Sequence, residues 1–340
     1  MSTPLTIEQF LSQAGAIIDV RSPSEYQQGH IPGSHSLPLF SDAERAQVGT
    51  AYKQQDRATA INLGLQIVGP KLLSLVQSAT AHMSQGSVKI LCWRGGMRSA
   101  FVGNLLHSLG FCVWTLKGGY KAFRQWTLQI LENIFAPHLH VLGGLTGSGK
   151  TSILHSLSQI GEQVINLEGL ANHRGSAFGL LGLSPQPSQE HFENQLAFKW
   201  QRLDLSRPIW IEDESRMIGK CRLPTTLHTL MSTSKLLYLD IAQAKRVEHI
   251  LHIYGQMPCE LLIDATKCIS KRLGGQTTNQ IIDLLQRRQN AHAFTLLLNY
   301  YDRTYHYYLS KRHSFYSIQD LNLDYSEWAL YLRKLIQEIN

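Results

Sequence analysis

A chain of 340 residues, 43% hydrophobic and 17% charged, has room for two ordinary cores and is not a disordered, collagen-like or coiled-coil sequence. No run approaches 18 uninterrupted apolar residues, and the start MSTPLTIEQF has neither the basic end nor the apolar stretch of a secretory signal, so a cytoplasmic protein with no membrane partner is expected. The net charge of +7 is a mild bias toward polyanions, and it is local: residues 267–313 hold eight basic and two acidic side chains.

In chain order, short apolar runs at 16–20, 88–91, 113–116, 140–142, 164–167, 209–211 and 236–241 read as buried strands. Helix-length segments lie between them, such as 69–84 and 99–109, and the alternation implies parallel sheets covered by helices. A boundary is expected near Phe135–His138, where Ala-Pro-His separates a helix from a new strand. Beyond residue 242 the strand signals stop, and 278–289 and 326–339 have helical periodicity. The C-terminal hundred residues are therefore expected to be helical. The five cysteines (Cys92, Cys112, Cys221, Cys259 and Cys268) are odd in number and form no CxxC pair, which argues against a disulfide framework or a zinc site.

The first chemical signature is Cys92-Trp-Arg94-Gly-Gly-Met-Arg98-Ser, at the end of an apolar strand and before a helix. Backbone N–H groups in such a loop converge on one point, the helix N-terminus adds partial positive charge, and Arg94 and Arg98 add full charges. A thiolate there is a nucleophile beside an anion pocket. With Asp19-Val-Arg21-Ser-Pro-Ser-Glu25-Tyr26, Gly29-His-Ile-Pro-Gly33 and Leu116-Lys-Gly-Gly-Tyr120, the segment 5–130 resembles the rhodanese domains, the sulfurtransferase fold. One departure stands out. The common rhodanese loop has arginine five positions after the cysteine, but here Met97 is fifth and Arg98 sixth. Rhodanese-fold phosphatases use that longer loop, so a phosphate-sized oxyanion is the expected occupant.

The second signature is Gly144-Leu-Thr146-Gly147-Ser148-Gly149-Lys150-Thr151, which satisfies GxxxxGK[ST] between an apolar strand and a helix. Such a loop wraps a diphosphate in backbone N–H groups, Lys150 pairs with its charge, and the Thr151 hydroxyl reaches Mg²⁺. The strand 209–211 runs into Glu212-Asp213-Glu214, where a metal-organising carboxylate or general base belongs; Glu212 and Asp213 are the candidates. The polar, glycine-containing stretch 166–179, with His173 and Arg174, reads as a candidate substrate loop.

The pairing of these domains, with LEGLANHRGSAFG, PQPSQEHFE and EDESRMIG, resembles the tRNA 2-selenouridine synthases over at least residues 10–225. The resemblance implies an α/β chain: a rhodanese-like α/β domain (1–135), a P-loop NTPase-like α/β domain (136–265) and a helical C-terminal region (266–340). It implies a tRNA anticodon loop as partner. It also implies two co-substrates, geranyl diphosphate to alkylate the sulfur of a wobble 2-thiouridine and selenophosphate to replace the geranylthio group with selenium. Cys92 would carry selenium, 144–151 would hold the diphosphate, and no tightly bound cofactor is implied. Lys267, Lys271, Arg272, Arg287, Arg288, Arg303, Lys311 and Arg312 interleave with Tyr300, Tyr301, Tyr305, Tyr307 and Tyr308. They read equally as a tRNA face or as a helical core edged by tyrosines. Rival readings of the whole chain are a rhodanese-fold phosphatase or sulfurtransferase fused to a small-molecule kinase, and a sulfur-relay adaptor that uses the P-loop as a nucleotide switch.

Overall fold

Five strands, β1 (Thr3–Leu5), β2 (Ala16–Asp19), β3 (His35–Ser36), β4 (Ser87–Leu91) and β5 (Cys112–Leu116), form a parallel sheet in the order β1-β5-β4-β2-β3. Adjacent residues on its inner strands point to opposite faces, and both faces are covered. Ile18, Ile90 and Val113 face Val68, Leu75, Ala79, Val102 and Leu106. Ile17, Leu91 and Leu116 face Phe10, Tyr120 and Phe123. In the computed structural model, which describes residues 2–83, 86–312 and 314–339, this sheet and its helices make one unit, residues up to 130 together with 190–198. Segment 190–198 belongs to the helix Gln189–Trp200 and brings buried Phe192, Asn194 and Leu196 to this unit. Ser84, at the end of the expected helical segment 69–84, and His313, at the end of the basic segment, lie outside the described residues.

Helical backbone runs almost unbroken over Arg57–Ala81. By length and composition that stretch is apolar enough to cross a membrane, although Asn62, Gln66, Lys71 and Gln77 punctuate it. Gly69-Pro70-Lys71 tightens to a 3₁₀ turn between Arg57–Val68 and Leu72–Ala81, and Val68, Leu75 and Ala79 pack into the core of the unit.

The second unit, residues 131–189 and 199–340, has strands β6 (Leu139–Gly144), β7 (Gln163–Ile165), β8 (Ile209–Glu212), the short antiparallel pair β9 (Met217–Ile218) and β10 (Cys221–Arg222), β11 (Lys235–Asp240) and β12 (Tyr316–Gln319). Its parallel sheet has the order β12-β11-β6-β8-β7, so β6 is central and the chain leaves it in both directions. That is the position at which such sheets place ligands, outside the C-terminal strand ends. Helix Tyr325–Ile339 packs Trp328, Leu332 and Ile336 onto Leu154, Trp210 and Leu237.

The helices Gln243–Tyr254, Cys259–Cys268, Gly275–Gln286 and Asn290–Leu309 form a second apolar cluster around Ile250, Leu262, Ile281, Phe294 and Leu297. The expected all-helical C-terminus is corrected by β12, which pairs with β11 in the register Leu237↔Tyr316 to Asp240↔Gln319. Only Ile318 of that edge strand is buried, so its four residues carry no apolar run for the eye to catch.

Candidate functional sites

Cys92 follows β4, and the loop 92–96 leads into helix Met97–Ser108. The loop is clamped by the turn after β5. The N–H groups of Tyr120 and Lys121, in the first turn of helix Gly119–Glu132, donate to the carbonyls of Cys92 (2.8 Å) and Trp93 (3.0 Å). Two amides that a helix start leaves unpaired are thereby used to fix the loop. Gly119 has φ of 61°, and a Cβ there would run into the Cys92 carbonyl, so the close approach requires glycine. Cys92 is buried, with Sγ 3.1 Å from the Ser99 hydroxyl. Arg98 points to Glu25, at 2.7 and 3.3 Å, and that carboxylate also accepts the Ser22 N–H. These partners hold the Glu25 carboxyl below its usual range against the opposing effect of burial. Arg94 is exposed and makes no ion pair among the described residues. Beneath the loop lies a pair that the motif alone did not explain. Fully buried Arg21 is held by Asp19 at 2.6 Å and donates to the Gly29 carbonyl at 2.7 Å. Its guanidinium lies 3.6 Å from the Tyr120 ring centroid.

In the second unit the loop 145–149 joins β6 to helix Lys150–Gln159. Gly147, φ 84°, passes so close to the Arg246 carbonyl that a Cβ would sit 2.8 Å from it. Lys150 Nζ donates to the Gly144 carbonyl at 2.7 Å, and Thr151 Oγ1 donates to Glu168 Oε2 at 3.0 Å. The Ser148 hydroxyl is buried without a partner. Sequence reading missed three supports of this loop, because each lies far away in the chain. Buried Arg246 donates to the Thr146 carbonyl (3.1 Å) and pairs with both oxygens of Asp302 (2.9 and 2.8 Å). The Tyr305 hydroxyl accepts the Gly144 N–H at 3.1 Å and donates to Asp213 at 2.7 Å. Tyr325 lies against Gly149 and bonds His249 at 2.9 Å.

The acidic run divides. Asp213 belongs to the Tyr305 support. Glu212, buried, accepts the Glu168 N–H at 2.5 Å through one oxygen, while its other oxygen has no partner. Burial, then the charge of Glu168, pushes the Glu212 carboxyl up to about 8. Glu214, which sequence reading did not single out, is also raised, by burial and then by the charges of Glu168 and Glu212. Glu168 is raised by burial, with Lys150, Thr151 and Arg174 opposing. Gly175 lies against both Glu168 and Glu214, so the candidate substrate loop closes over this acidic group. Within it Arg174 donates to the Leu181 carbonyl at 2.8 Å, and buried His173, its Nδ1 unpartnered, has its pKa lowered by burial. No three His, Cys, Asp or Glu side chains among the described residues are grouped to hold a metal ion. Thr151 and Glu168, already in contact beside the orphaned Glu212 oxygen, fit a Mg²⁺ brought in on diphosphate oxygens.

The basic C-terminal segment is less uniform than its sequence. Lys271, Arg272, Arg287 and Arg288 are exposed, with Arg287 bonded to Asp283 at 2.9 Å. The Arg312 side chain is 5% exposed, donates to the Met231 carbonyl and lies 3.8 Å from Asp213, so it is not a surface contact. Four of the five tyrosines also turn inward: Tyr300 and Tyr301 join the helical cluster, and Tyr305 and Tyr308 lie near Asp213. Tyr307 alone among them is exposed, with Lys311 over its ring.

Residues 137–334 match the family model described as the tRNA 2-selenouridine synthase AAA domain, and residues 3–125 match the rhodanese-like domain. A tRNA 2-selenouridine synthase of Aeromonas salmonicida is 36% identical over 87% of this chain and 88% of its own. One of Marinobacter nauticus is 36% identical over 92% and 93%, and one of Nitrosomonas europaea is 41% identical over 70% and 63%.

Proposed function

From a chain that belongs to the tRNA 2-selenouridine synthase family, we infer a tRNA-modifying enzyme that turns a wobble 2-thiouridine into 2-selenouridine in two steps. The observation that carries this reading is the presence, in one chain, of a cysteine in a phosphate-sized loop and a diphosphate loop lined by Lys150 and buried carboxyls. Its tRNA substrate places it in the cytoplasm.

Sulfur is expelled poorly from the uridine ring as sulfide, and alkylation makes it a leaving thiolate. In the first step the 2-thio sulfur attacks C1 of geranyl diphosphate. The C1–O bond breaks, and pyrophosphate departs with the electron pair into the cradle of 144–151 and Lys150. The proton that N3 loses passes to solvent, because Glu212, pushed up to about 8, already holds its own proton at neutral pH. Mg²⁺, when bound, neutralises the departing pyrophosphate, and Thr151 and Glu168 would hold it.

In the second step the Cys92 loop receives selenophosphate. Attack of Cys92 at selenium would form a selanyl adduct but leave phosphite, a reduced phosphorus. Attack at phosphorus breaks the P–Se bond, releases selenide without any change of oxidation state, and leaves a cysteinyl phosphate that water cleaves to phosphate. The longer loop suits the second course. Selenide then adds at C2, and geranylthiolate leaves.

Nucleoside mass spectrometry of tRNA incubated with geranyl diphosphate and selenophosphate tests both steps. Cys92→Ser is expected to abolish selenium incorporation while S-geranyl-2-thiouridine accumulates. Lys150→Ala is expected to lower geranylation at least tenfold, as loss of a charge contact of ~2–4 kcal/mol in the transition state requires. ATP hydrolysis without any geranylated nucleoside would replace this reading with a kinase.

A further inference from the structure

The residue after the nucleophile is a tryptophan with one side built in and the other open. Trp93 packs on Tyr120, with ring centroids 5.8 Å apart, and on the Arg21 guanidinium at 5.9 Å. Its own carbonyl is fixed by the Lys121 N–H. Both supporting side chains are completely buried, so the indole rests on an immobile floor. Yet 37% of Trp93 remains exposed, and so does 50% of Met97, four positions on. An indole of this size ordinarily goes inside, and here it is held at the surface within one residue of Cys92.

The charges around it are unsatisfied. Arg94 and Lys121 are exposed, and neither has an ion-pair partner among the described residues. Arg57 is exposed too; its guanidinium lies 4.0 Å from the Met97 sulfur and has no ion-pair partner among the described residues. By contrast the deeper arginines of the same region, Arg21 and Arg98, are neutralised by Asp19 and Glu25. The rim is thus an aromatic face ringed by cations, with no acidic group paired to them among the described residues. That combination suits a planar uncharged ring carried on a polyanionic strand.

We propose that Trp93 is the stacking platform on which the unpaired wobble base is laid beside Cys92, with Arg94, Arg57 and Lys121 receiving the flanking phosphates. This rests on the tRNA reading and names the part of the tRNA that the cysteine site holds. A base laid on the exposed indole face is brought next to the loop where selenium is released. The modified ring stacks in either its geranylated or its selenated form, because stacking asks only for a π-face.

The test is equilibrium binding of two anticodon stem-loop RNAs, one with 2-thiouridine at the wobble position and one with an abasic site there, to the full chain and to Trp93→Phe, Trp93→Leu and Tyr52→Ala. Trp93→Leu keeps an apolar filler over Tyr120 but no ring, and melting curves show that each variant is folded. The unaltered protein is expected to favour the 2-thiouridine hairpin about tenfold, within the range for one stacked base. Trp93→Phe keeps most of that preference and Trp93→Leu abolishes it. Tyr52→Ala, which removes an aromatic exposed elsewhere on the same unit, keeps it in full. A folded Trp93→Leu protein that still prefers the 2-thiouridine hairpin tenfold overturns the proposal. So does one that keeps this preference while losing reaction with selenophosphate, which would assign Trp93 to the donor instead. If the unaltered protein binds neither hairpin, the tRNA reading itself falls and the platform falls with it.

Discussion

Tyr305→Phe removes one oxygen and leaves the ring, so its consequences can be worked out from two hydrogen bonds. The hydroxyl donates to Asp213 at 2.7 Å, and a bond to a charged acceptor contributes ~1.5–3 kcal/mol. It also accepts the N–H of Gly144, the last residue of β6 and first of the phosphate loop, at 3.1 Å. Left alone in a buried position that amide costs a further ~1–3 kcal/mol. Asp213 keeps Arg312, at 3.8 Å, as a counter-charge. Some relaxation offsets these losses, and a destabilisation of the second unit by about 3 kcal/mol is expected from chemical denaturation. The local readout is amide exchange. Gly144 loses protection in Tyr305→Phe, while Tyr307→Phe, at an exposed position, leaves it unchanged. A Tyr305→Phe protein within 0.5 kcal/mol of the original, with Gly144 equally protected, would refute the claim that this tyrosine anchors the phosphate loop.

Glu212 gives a pH signature. Its folded pKa lies above the unfolded one, so the native state holds a proton that the unfolded chain has lost between about 4.5 and about 8, and stability falls as pH rises through that window. Glu212→Gln keeps an acceptor for the Glu168 amide and resembles the protonated form. In metal-free denaturation it should match the original within ~1 kcal/mol at pH 5 and exceed it by ~2–4 kcal/mol at pH 9, and parallel stability curves would contradict the assignment. Replacing Arg287 and Arg288 together by alanine should weaken tRNA binding and flatten its salt dependence by up to about two phosphate contacts. An unchanged slope in a folded double variant would remove this pair from the RNA surface.

Both candidate loops were legible because their information is local. A strand, a glycine turn and a helix start within a dozen residues make the Cys92 and Lys150 sites readable before any packing is known. What surrounds them was not. Arg246, Tyr305 and Tyr325 reach the phosphate loop from about a hundred residues or more downstream, and nothing in their own neighbourhoods marks them as anything but helix residues. The acidic run was recognised, but the path of the chain beyond β8 decides which acids meet. Glu212 and Glu214 interact with Glu168, and Asp213 turns toward Tyr305. The tyrosine-rich helix was ambiguous for a related reason. Composition reports five rings and does not report which way the helix is rotated.

The placement of residues 190–198 with the first unit bears on how the protein is made. The Tyr120 hydroxyl, bonded to Glu190 at 2.6 Å and Asn194 at 2.7 Å, and Arg124, bonded to Glu193 and Asn194 at 2.7 Å each, have no such partners until that stretch has been synthesised. A nascent chain whose residue 130 has just left the ribosome therefore exposes the Tyr120 side of its sheet. At ~5–20 residues per second the missing cover follows ~3–14 s later. Over that interval the floor beneath Trp93 is open on one side, its Tyr120 hydroxyl left without the Glu190 and Asn194 bonds that later hold it.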